Sequence, residues 1–160
     1  MYKIEIKNKI FNVSQDFVSS IKEAEEYVKY ILSPAGREEA LNVKKIEVKN
    51  RVSVSKKVER AKGLKVGIHT FFSTPTDLQK YDHAMKTGKR IAKAKDIAWE
   101  DFKGKVKVQE GLVEVTGAEF DVALGAIDIF LYKTWYKEQL LHGAVDACST
   151  VEEVEAINWE

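Results

Sequence analysis

The chain has 160 residues, 44% apolar and 32% charged, which is enough apolar material for one or two small folded domains and excludes a globally disordered polymer. Its 26 Lys and Arg against 25 Asp and Glu leave a net charge of +1, so the molecule as a whole has no electrostatic reason to seek nucleic acid or an anionic membrane. The one cysteine, Cys148, excludes an internal disulfide and a cysteine-built zinc site, and no run approaches the ~18 apolar residues of a membrane span.

The opening MYKIEIKNKIF alternates charged and apolar residues, unlike the unbroken apolar stretch of a signal peptide, so synthesis in the cytoplasm is the expectation. Tyr2, Ile4 and Ile6, then Ile10, Phe11 and Val13, predict a strand or hairpin. From Asp16 to Leu32 the spacing changes: Phe17, Ile21, Ala24, Val28 and Ile31 fall three or four apart, which predicts an amphipathic helix. Ser33 and Pro34 are expected to end it, with room for one further helical turn over 37–42. Between Val43 and Val66, β-branched residues separated by Lys, Arg, Asn and Ser predict two strands or one long bent strand. Ile68–Phe72 is read as a buried strand or a linker, and a domain boundary near 66/67 is placed beside it. The expected fold class is α+β: an N-terminal module of antiparallel strands and one helix (1–66), and a C-terminal module (67–160) with two longer helices, a short antiparallel sheet and a short terminal helix.

In the second part, Thr74, Pro75 and Asp77 mark a helix start, and the apolar stripe Leu78, Tyr81, Met85, Ile91 carries the helix to about Lys93. Residues 97–102, Val106–Val108 and Leu112–Val115 are read as short strands, turning at Gly104 and Gly111. Thr116 with Glu119 forms a capping box that opens the longest helix, expected to stop at Gly143 after His142. Ser149 with Glu152 and Thr150 with Glu153 offer two overlapping boxes for a last helix.

No reaction class is supported by these residues. His69, His83 and His142 stand apart from one another and from Cys148, so no zinc-ligand spacing occurs, and GLKVG at 63–67 lacks the Lys and Ser or Thr of a phosphate loop. No catalytic residue, metal or cofactor is expected. Two features point to contacts instead. The long helix is apolar on more than one side: Phe120, Ala123, Leu124, Ile127 and Leu131 form one stripe, while Val122, Ile129, Tyr132 and Tyr136 lie off it, with Phe130 and Trp135 between. A basic segment, 44–65, holds Lys49, Arg51, Lys56 and Lys57 among nine cations against two carboxylates, and would suit an acidic protein or a phosphate backbone. Phe130, Tyr132, Trp135 and Tyr136, with Lys49, Arg51, Lys56 and Lys57, are therefore the candidate partner-binding residues.

From His69 the run HTFFSTPTDLQKYDHAM, then DIAWEDFKG, LVEVTGAEFDVALGAIDIF and LLHGAVDACSTVEEVEAINW, resembles an uncharacterised domain of bacteriophage tail-fibre and tail-fibre-accessory proteins over about 65–159. The matching residues are caps and core positions. The resemblance implies a structural or assembly role in the tail, in the virion or the host cytoplasm, with a tail or tail-fibre protein and further copies of the chain as partners; it transfers no ligand-binding residue. The alternative is a small phage accessory protein that binds a host protein or nucleic acid through the basic segment.

Overall fold

The structure is a computed structural model; it describes residues 2–6, 9–13 and 15–160, with side chains from Ile21 onward. The chain is mixed α and β. Among the described residues, three antiparallel hairpins, β1–β2 (Tyr2–Ile6, Lys9–Val13), β3–β4 (Leu64–Val66, His69–Phe71) and β5–β6 (Lys103–Val108, Gly111–Thr116), are set among α1 (Gln15–Leu32), α2 (Pro34–Ala61), α3 (Pro75–Ala94), α4 (Gly117–Ala147) and α5 (Val151–Ala156). The expected N-terminal hairpin and first helix are present as backbone; the inward face assigned to Phe17 lies outside the described side chains. Among the described residues no helix is long and apolar enough to cross a membrane.

The strands expected over 43–66 are instead one 28-residue helix, α2, followed by the three residues of β3. Ser33 and Pro34 do end α1, but they also begin α2: the Ser33 hydroxyl accepts from the Gly36 amide at 3.1 Å, and Pro34 takes the first turn, where its missing N–H costs nothing. Val48 and Val52, one turn apart, are buried against α4 and α5, so burial of a helical stripe outweighs the modest helix-propensity cost of valine. The 66/67 position falls at the tip of the β3–β4 hairpin, and α2 packs across it on α4 and α5.

Helix α4 is the spine of two cores. Its first half supplies Phe120, Ala123, Leu124 and Ile127 to a cluster with Phe71, Tyr81, Val106, Val108 and Val115 from the hairpins and α3. Its last turns supply Val145 to a second cluster with Val48, Val52 and Val154. The helix thus runs through Gly143 to Ala147 rather than stopping at His142, because the extra turn buries Val145 completely and offsets a glycine penalty of about 1 kcal/mol. Capping boxes close the starts of α3, α4 and α5 at Thr74/Asp77, Thr116/Glu119 and Thr150/Glu153; the Ser149/Glu152 alternative is not used.

Residues 97–102 are not a strand. Trp99–Asp101 forms a single 3-10 turn, and the Trp99 ring lies over Gly88 and Gly117 and stacks on Phe102. Gly104 is within β5, and the chain turns at Gln109 and Glu110 into Gly111, the first residue of β6, whose φ of 127° suits glycine alone. A methyl group added at Gly117 would stand 2.0 Å from the Trp99 carbonyl oxygen and 2.6 Å from its ring. Gly117→Ala is therefore expected to cost about 1 to 3 kcal/mol through overpacking, visible as a melting temperature several degrees lower; an unchanged melt would contradict the packing of Trp99.

Candidate docking surface

The polar groups between the two cores explain where the basic segment goes. Glu138, 5% exposed on α4, accepts from Ser53 Oγ at 2.7 Å and from Lys56 Nζ at 2.5 Å. Arg60 donates to Thr134 Oγ1 at 2.8 Å and to the Leu131 carbonyl at 2.7 Å. Further along, Lys49 pairs with Asp146 at 2.6 Å, Lys45 reaches the Asp146 carbonyl, Lys44 bridges Glu47 and Glu155, and Arg51 donates to the Ile157 carbonyl at 2.7 Å. On a helix these cations lie along the side that faces α4 and α5, so Lys49, Arg51 and Lys56 are engaged within the chain, whereas Lys57 is exposed on the other side. A clamp between helices, not a ribbon on a sheet, is their observed arrangement.

Burial penalises the Glu138 carboxylate, but the bonds from Lys56 and Ser53 outweigh that and hold its pKa below the ordinary value. Asp146 is lowered by its bond from Lys49, and Glu119 and Glu110 by bonds from Thr116 and Thr70. For carboxylates with depressed folded-state pKa values, the stabilisation is complete above the unfolded pKa and is lost as pH falls through the folded one. The urea midpoint is thus expected to hold steady down to about pH 5 and to fall below the ordinary glutamate value of 4.5; a midpoint that rises on acidification would contradict these pairings.

The three histidines do not converge. His83 is exposed on α3, His142 has a ring nitrogen 3.3 Å from the Lys49 carbonyl, and His69 stands on β4. Among the described residues no group of three or more His, Cys, Asp or Glu is placed to hold a metal ion. A groove of about 410 Å³ between α3, β5, β6 and the start of α4 is lined largely by apolar groups such as Ile91, Trp99, Phe102 and Phe120, with His83 and Thr87 beside them. It offers shape and apolar surface but no paired acid and base.

The surplus apolar surface of α4 is real and has a definite geometry. At 100° per residue, the buried positions Phe120, Ala123, Leu124, Ile127 and Val145, with the half-buried Leu131, occupy one side, and Val122, Ile129, Tyr132, Tyr136 and Leu140 lie opposite them, each half to two-thirds exposed. Tyr132 stacks on Tyr136 with ring centroids 6.2 Å apart, and Trp135 leans against Tyr132 at 5.9 Å. Of the residues expected here, Tyr132, Trp135 and Tyr136 are exposed together, while Phe130 is half-buried on the flank. Leu140 was not among the expected contact residues; its four-residue spacing from Tyr136 places it on the same stripe. Other apolar side chains are also open: Ile21, Val28 and Ile31 of α1, and Val43, Ile46, Val54 and Val58 of α2.

No family model matches this chain, and no curated protein or solved structure matches it. The surface itself is the ground for a functional reading.

Proposed function

We propose that this chain is a non-enzymatic assembly protein of a bacteriophage tail or tail-fibre apparatus, acting through protein–protein contacts made by the outer side of α4. The observation that carries the contact role is the row of Val122, Ile129, Tyr132, Tyr136 and Leu140, open to solvent along a helix whose opposite side is already buried. A helix serving only its own core needs one apolar stripe, and leaving a second in water forfeits its burial energy. Clustered Tyr and Trp are also the residues that dominate interface energetics, since they bring large rigid area with a polar tip. The tail setting rests on the likeness of 65–159 to tail-fibre and tail-fibre-accessory domains.

The test is co-expression with a bacteriophage tail-fibre chain. A complex is expected to survive purification and to be lost in the Tyr132→Glu/Tyr136→Glu variant. Failure to bind it contradicts the assembly role. A complex that instead dissolves steeply with salt would place the contact on charged side chains outside the clamp, such as Lys57 of α2, rather than on the apolar row, because charge-driven contacts are screened and apolar docking is not.

A further inference from the structure

Resting on the reading of the outer side of α4 as a contact surface, we infer that its occupant is a second copy of the same helix, running parallel and in register. Val122, Gly125, Ile129, Tyr132, Tyr136, Gln139 and Gly143 alternate at steps of three and four residues, and all are exposed. That is the spacing of a two-stranded coiled-coil seam over three heptads, about 33 Å at 1.5 Å per residue, with Val122, Ile129, Tyr132 and Tyr136 as its apolar knobs and Gly125, Gln139 and Gly143 as its small or polar positions. The alternation also sets the hand of the pairing, since a 3.5-residue repeat on a 3.6-residue helix requires a left-handed supercoil.

The flanking residues select both the partner and its direction. In a parallel pair, the residue just before each first seam position faces the partner residue five places further along. Asp128 then meets Lys133 of the second copy, and by symmetry the pair forms twice; Trp135 meets Leu140 in the same way, apolar against apolar. Asp128 and Lys133 are exposed, and among the described residues neither forms a salt bridge within its own chain. An antiparallel pair sets like flanks against each other, so Asp128 could not reach Lys133 of the partner. The α2 clamp lies on the far side of α4, so two protomers would stack as α2, α4, α4, α2 without displacing either core.

The experiment uses the full chain with Cys148→Ser, so that Val122→Cys introduces the sole thiol. In the parallel arrangement the two thiols meet at one end of the seam, and mild oxidation is expected to convert most of the protein to a disulfide-linked dimer that thiol reduces. In an antiparallel arrangement they would stand about 30 Å apart and remain unlinked. As a second arm, Asp128→Lys is expected to raise the dimer dissociation constant several-fold, and Asp128→Lys combined with Lys133→Asp to restore it. A monomer at all concentrations, or a dimer that neither cross-links through position 122 nor responds to the charge exchange, overturns the inference. If in that case the tail-fibre complex still forms and still fails in Tyr132→Glu/Tyr136→Glu, the contact surface stands and only its occupant was misassigned.

Discussion

Lys56→Met is expected to destabilise the fold by about 3 kcal/mol, within the range for breaking a buried ion pair by removing one partner. The substitution keeps most of the apolar stem that Lys56 lays between α2 and α4, so the loss is of charge rather than volume. What remains is the Glu138 carboxylate, 5% exposed, with Ser53 as its one remaining donor among the bonds seen here. At neutral pH that group must either stay charged in a poorly hydrated site or take up a proton, and both cost free energy. Lys56→Met with Glu138→Leu removes the stranded charge as well, and is expected to recover most of the loss, because a buried pair replaced by apolar groups is often near neutral. Urea unfolding of the two variants checks this. A single substitution within ~0.5 kcal/mol of the parent, the scatter of surface changes, would show that the polar belt between the two cores is not a clamp.

Tyr132→Glu/Tyr136→Glu is expected to weaken association by at least ~30-fold, the equivalent of a 2 kcal/mol interface hot spot, and to leave the unfolding midpoint of the isolated chain nearly unchanged. The two effects separate because both rings lie outside the cores, 61% and 50% exposed, so a carboxylate there meets water in the lone protomer and an apolar surface only in the assembly. A large fall in folding stability would instead place these rings in an internal contact.

The local signals that survived were those whose physics is local. Thr74 with Asp77 and Thr116 with Glu119 satisfy their own free amides whatever surrounds them, and helices start at both. Ser33–Pro34 carried the same kind of signal as Thr74–Pro75, yet read as a stop because it also follows a helix; a serine cap before proline was the clue to α2. The strand reading of 43–66 failed for a tertiary reason. Ile46, Val48, Val52, Val54 and Val58 fit a period of two about as well as a helix, and the choice is made by Val145, Glu138 and Thr134 about 75 to 100 residues away, which receive Val48, Lys56 and Arg60 only from a helical α2. Gly143 misled likewise, since the contact that extends α4 past it is made by Val145 with Val48 and Val154. For the contact surface, the number of apolar residues on α4 disclosed the surplus, but its division into two opposite sides, with Phe130 half-buried on the flank, emerged only once the buried side was known.

Sedimentation velocity of the parent and of Tyr132→Glu/Tyr136→Glu, alone and with a tail-fibre chain, tests the outer side of α4 most directly. The parent should sediment as a species larger than one chain, and the variant as a single folded protomer. Identical sedimentation of the two proteins in every mixture would mean that the aromatic row touches nothing but water.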